Sequence, residues 1–181
     1  SVGPGAVLSE IIACGAVPVV RLDRIFRQSH GSRIAANAKY IRHGNLSLEY
    51  GDDFQFFDSS DMEDSAQLIE RLYMQEISKY VALLSPYRQK TETGVNALND
   101  RLQSIVNPQD GKKPEILYRN RIYRMGDKVM QTKNCEDVSN GDIGYITSIT
   151  TDDSDSMLTV DFGDGRVAEY EKSDLELLDL A

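Results

Sequence analysis

The chain has 181 residues, 40% of them hydrophobic, and a formal net charge of −9. That length buries one substantial core, or one core and a small satellite domain. No stretch approaches the roughly 18 uncharged apolar residues of a membrane span, and no basic segment leads into an apolar run, so neither a membrane partner nor export is indicated.

The two cysteines, Cys14 and Cys135, form no C-x-x-C pair, which argues against a disulfide framework or zinc site and fits a reducing, cytoplasmic compartment. Both are expected to be small buried or half-buried hydrophobes. Ser1 leads straight into "SVGPG" without an initiator methionine, as expected of a piece of a longer protein.

In chain order, residues 6–14 predict a helix with Pro4 near its start and Gly15 after its end, and "VPVVRL" (17–22) a short buried strand. A second helix is expected from Ser32, an N-cap candidate, to Gly44, with Ile34, Ala38 and Ile41 on one face. "DFQFFD" (53–58) has strand character. Asp61 or Ser60 caps a longer helix reaching about Tyr80, and "VALLSP" (81–86) reads as a buried strand. Tyr80 meets Val81 with no turn residue between the two patterns, a junction expected to lack a few residues. Thr93 opens a last helix with Leu98, Leu102 and Ile105 at helical spacing, ending at Asn107-Pro108. This alternation predicts a mainly parallel sheet flanked by helices.

Past "NPQDGKKPE" the pattern changes to short alternating runs, separated by the turn signals Gly126-Asp127, Asn140-Gly141 and Gly163-Asp164-Gly165. Five short strands in about 65 residues predict a small β-barrel of SH3-like size. The expected division is an α/β domain over 1–110 and the barrel over 111–178.

A net charge of −9 ordinarily counts against nucleic-acid binding, but the charge is unevenly spread. From Arg21 to His43 there are six cations against Asp23 alone, and from Lys112 to Lys133 seven against Glu115 and Asp127. Acidity concentrates in 49–70 and 152–179. Taken alone, such blocks serve equally as solvated surface.

The sequence has no G-x-x-x-x-G-K-[ST] loop, no G-x-G-x-x-G and no His or carboxylate cluster at metal-ligand spacing, which disfavours a free-standing hydrolase or metalloenzyme. "RLDRIFRQ" gathers three arginines at an apolar strand end. Such an arginine, set across a cleft from a nucleotide, stabilises charge during phosphoryl transfer. From spacing alone the plainer reading, surface arginines or carboxylate partners, prevails.

Together, "SVGPGAVL", "VVRLDRIFRQ", "SRIAANAKYIRHG", "LLSPYRQKTETGVNALNDRLQ" and "VMQTKN" with "NGDIGYI" resemble, in order and spacing, the RecD-like and TraA-like DNA helicases of superfamily 1. The resemblance implies a partial RecA-like second motor domain followed by the inserted SH3-like subdomain. It implies an ATP-driven parent that unwinds DNA 5′ to 3′, with Ser1–Gly5 as the tail of helicase motif III. Arg27 matches the motif IV arginine that reaches the γ-phosphate of ATP, with Gln28 beside it. Ser85, Pro86, Tyr87 and Arg88 match a segment approaching the DNA backbone, with Asn99 on the helix behind, and the tyrosine could stack on a base.

In the barrel, Lys128, Gln131, Lys133, Asn134 and Asn140 are the residues the resemblance places near single-stranded DNA. Gly126-Asp127 and Asn140-Gly141 also have a purely structural reading as hairpin turns, preferred for the Gly and Asp. ATP and Mg2+ are implied for the parent, and nuclease-complex subunits are possible partners in recombination or repair. The family's Walker A and B segments and motifs V and VI lie outside this sequence, so the chain alone is expected not to hydrolyse ATP. Two competing readings are a nucleic-acid- or protein-binding module on an SH3/KOW-like barrel without motor activity, and a structural interaction domain.

Overall fold

The computed structural model describes residues 6–20, 31–77, 81–151 and 156–181. The chain forms two compact units, Ser1–Asp58 and Ser59–Ala181. Among the described residues, no helix is long and apolar enough to cross a membrane.

The first unit holds α1 (Val7–Cys14) and α2 (Arg33–Arg42), both where the periodicity places them. Asn37 on α2 is buried and grips the chain that follows: its Nδ2 donates to the Glu49 carbonyl at 2.7 Å, and its Oδ1 accepts the Glu49 N–H at 2.9 Å. One side chain thereby satisfies both backbone groups of Glu49.

The strand expected over 53–58 does not form. Gly51 and Phe54 exchange both backbone hydrogen bonds, at 2.8 and 3.0 Å, so the chain doubles back, and the Asp53 carboxylate is taken by the N–H and guanidinium of Arg33. The other expected parallel strands are likewise absent among the described residues. Residues 17–20 and 81–86 are irregular, and positions 21, 22 and 80 lie outside the described residues. A parallel strand needs neighbours to pair its N–H and C=O groups, and no described strand lies alongside either run; Val17, Val19, Val20, Leu83 and Leu84 are exposed. Every described sheet is antiparallel. Cys14 and Cys135 are exposed rather than buried, because one lies on a helix without buried residues and the other on a hairpin loop.

The second unit begins with α3 (Met62–Glu76), whose N-cap Asp61 accepts the Asp64 N–H at 2.8 Å. Arg101 on α4 (Val95–Val106) ties the two helices by pairing with Glu63 and Glu70. Beyond α4 come β1 (Glu115–Tyr118) and β2 (Arg121–Arg124), a two-stranded hairpin, then β3 (Lys128–Gln131), β4 (Ile143–Thr151), β5 (Ser156–Asp161) and β6 (Val167–Glu171). A 3₁₀ segment, Lys172–Leu177, leads into β7 (Leu178–Leu180). The larger sheet has the order β6-β5-β4-β3-β7.

Alternation explains the core. β4 buries Gly144, Ile146 and Ile149, and β5 buries Leu158 and Val160, with Ile116 and Tyr123 of the hairpin in the same apolar cluster. Gly144 has no substitute: an added Cβ would stand 2.6 Å from Val160 Cγ1 and 2.8 Å from the Asp161 carbonyl.

Helix α4 is joined to the β unit by Asp127, which is 4% exposed. Its carboxylate accepts from Gln103 Nε2 at 2.6 Å, Asn107 Nδ2 at 2.7 Å and the Arg124 N–H at 2.7 Å. Gly126, at φ +93°, makes the turn that aims it there. Asp127→Ala would leave these donors without their acceptor and should cost about 3 kcal/mol or more. Chemical denaturation checks this, and Asp127→Asn should cost less.

Candidate nucleic-acid interface

The loop 85–94 is built by one hydroxyl. Ser85 Oγ donates toward the carbonyls of Thr93 (2.7 Å) and Tyr87 (3.1 Å) and accepts the Tyr87 N–H at 3.2 Å. The N–H groups of Val95 and Asn96 then bond the Tyr87 and Arg88 carbonyls. Ser85 therefore shapes the loop, while Pro86, Tyr87 and Arg88 stand exposed on it.

Arg88 and Arg121 both pair with Asp179 on β7, and Arg121 also donates to Asn96 Oδ1 at 3.0 Å. Arg119 and Lys133 share the neighbouring carboxylate Glu176, each at 3.3 Å. The hydrogen bond from Lys133, with the charge of Arg119 behind it, holds the Glu176 carboxyl below its ordinary range. All of these groups but Lys133 line an open groove of about 340 Å³, together with Asp100 and Tyr118 among others. Three arginines and three carboxylates line it, Asp100 being the third, and Lys133, paired with Glu176, adds a fourth cation beside it.

Arg119 occupies the β1–β2 turn at φ +54°, a left-handed conformation costly for a side chain of its kind, with its guanidinium 4.9 Å from the Tyr118 ring centre. Tyr118, Arg119 and Arg121 were not among the residues singled out from the sequence. The signal available was the seven-cation block from Lys112 to Lys133, which names no individual residue.

Of the other expected contacts, Asn99 and Lys128 line a different hollow. Asn99 donates to the Leu180 carbonyl at 2.6 Å and Lys128 to the Val81 carbonyl at 3.2 Å. Lys133, Asn134 and Asn140 are exposed together on the β3–β4 loop, which the Asn140 N–H closes by donating to Asn134 Oδ1 at 2.8 Å. Arg27 and Gln28 lie outside the described residues.

Gln131 has no exposed surface and stands inside the fold rather than on the face expected of a DNA contact. Its place at an inward position of β3 is the reason. Nε2 donates to the Lys133 carbonyl at 2.9 Å and Oε1 accepts the Tyr170 hydroxyl at 2.8 Å. Burial pushes the Tyr170 phenol up to about 12, keeping it a neutral donor. Gln131 thus supports the loop that presents Lys133 and Asn134. Gln131→Ala should destabilise the protein by about 2 kcal/mol and speed amide exchange in 132–141 more than in β5.

Residues 98–162 match the family model described as the ATP-dependent RecD-like DNA helicase SH3 domain. The matched stretch takes in most of α4, the Asp127 joint, β1 to β5, two of the three groove arginines, Arg119 and Arg121, and the adjacent Lys133. On this match, residues 98–162 are related to the SH3 domain of RecD-like DNA helicases, which points to a DNA helicase as the parent protein.

Proposed function

We propose that the chain is part of the second motor domain of a RecD-like helicase and that it grips single-stranded DNA along the groove of Arg88, Arg119, Arg121 and Lys133. The gathering of three arginines from separate stretches of the chain in one open groove, with Lys133 paired to its Glu176, carries the reading. Guanidinium forks suit phosphate oxygens. The second reason for a larger motor is the exposed apolar surface of the first unit: Val7, Leu8 and Ile11 on α1 and the run Val17–Val20, surface that ordinarily seeks cover. A partial RecA-like parallel sheet, completed by other strands, would supply it.

In the same reading Arg27 meets the γ-phosphate of ATP in the parent, with Gln28 beside it, and closure of the cleft couples hydrolysis to movement of the DNA-gripping groove along a strand, 5′ to 3′. ATP and Mg2+ belong to that parent motor, which would serve recombination or repair alone or with nuclease subunits.

Titration of a fluorescent oligothymidylate with this chain across a salt series tests the grip. Binding should weaken as salt rises, and Arg119→Ala with Lys133→Ala should lower affinity and flatten the log–log slope by about 0.7 per cation removed. Unchanged affinity and slope would reject the groove. For the nucleotide role, Arg27→Ala in the full-length parent should nearly abolish ATP turnover while DNA binding survives, and near-normal turnover would refute it.

A further inference from the structure

We propose that the two cation-paired carboxylates of the groove, Glu176 and Asp179, act in opposite directions: Glu176 is an anionic placeholder that a backbone phosphate displaces, and Asp179 is a positioning residue that holds the arginines which receive that phosphate. The inference rests on the DNA-gripping reading of the groove and adds to it what sets the affinity.

The two carboxylates lie three positions apart yet differ in every respect that governs displacement. Asp179 is 13% exposed and is paired with two guanidiniums, one of them the largely buried Arg121, itself anchored on Asn96. Glu176 is 45% exposed, and its partners Arg119 and Lys133 are exposed more than it is. Both Glu176 contacts are 3.3 Å, longer than the 2.7–2.9 Å usual for charge-assisted bonds. Such exposed pairs are weak and yield readily to a better anion.

The backbone beneath them is fixed. Leu175 and Leu178 are buried in the core, the Leu177 carbonyl accepts from the Thr132 N–H at 2.8 Å and its hydroxyl at 2.9 Å, and the Leu178 carbonyl accepts the Tyr123 hydroxyl at 2.8 Å. Release of Arg119 and Lys133 therefore requires only rotation of the Glu176 side chain. A phosphate presents oxygens to both freed cations, whereas removal of Asp179 would leave Arg121 without its carboxylate and Arg88 without an anchor.

Consequently a strand must outcompete a carboxylate, and neutralising Glu176 should tighten binding. In the oligothymidylate titration, Glu176→Gln should bind about 3- to 10-fold tighter with a steeper salt slope, and the gain should vanish when Arg119 and Lys133 are both alanine. Glu169→Gln, the same charge change on β6, should leave affinity within twofold, which separates displacement from a general reduction in negative charge. Asp179→Asn should weaken binding, and less so in an Arg88→Ala background, because the two changes act through one contact; melting curves establish that these variants remain folded. Equal or weaker binding by Glu176→Gln, or an equal gain from Glu169→Gln, overturns the placeholder even if Arg119→Ala and Lys133→Ala confirm the groove. If those cation variants bind like the parent chain, the groove reading falls with it. Absence of binding by both the parent chain and Glu176→Gln overturns both.

Discussion

A carboxylate as buried as that of Asp127 is tolerable only where donors surround it, and the second unit is arranged to supply them. Gln103 and Asn107 reach it from one turn of α4, and the backbone of Arg124 reaches it from the β2–β3 turn. The connection between helix and hairpin is drawn in as well: Lys113 donates to Asn107 Oδ1 at 2.6 Å, and Arg124 holds both Glu115 and the Asn107 carbonyl. Because all these partners are specific in position, α4 has one register against the strands. A purely apolar contact between Leu98, Leu102 and the sheet would leave that register looser.

The groove depends on that fixed register. Asn96, at the start of α4, anchors Arg121 of β2; the loop leading into α4 presents Arg88; β7 supplies Asp179 between them. Two arginines distant in sequence, one from the loop and one from β2, thus converge on one carboxylate. On the other side, Gln131 and Tyr170 set the height of the β3–β4 loop and bring Lys133 to Glu176. The interior polar contacts stabilise the fold and at the same time determine where the surface cations stand.

Helices and turns were largely legible in the sequence because their determinants are local. The cap at Asp61, the spacing of Leu98 and Leu102, and the glycines of Gly126-Asp127 and Asn140-Gly141 act within a few residues, and the structure has them as expected. β7 was not legible: "LDL" has too few residues for a periodic pattern, and only its pairing with β3 makes it a strand. Conversely, 53–58 has the composition of a strand, but Arg33 and the Gly51–Phe54 turn bend it back.

What the sequence by itself determined is the set of local commitments: which stretches are helical, where the chain turns, and that a small β unit follows Pro108. The charge blocks along it also announced that an acidic protein carries concentrated positive charge. Only the tertiary structure decided which cations act together. Asp179 selects Arg88 and Arg121, which precede and follow α4 in sequence, Glu176 selects Arg119 and Lys133, and Gln131 turns inward while Lys133 and Asn134 stand exposed. Coulombic partnership depends on distance in space, and a chain that brings residue 88 beside residue 179 does not write that distance into its sequence.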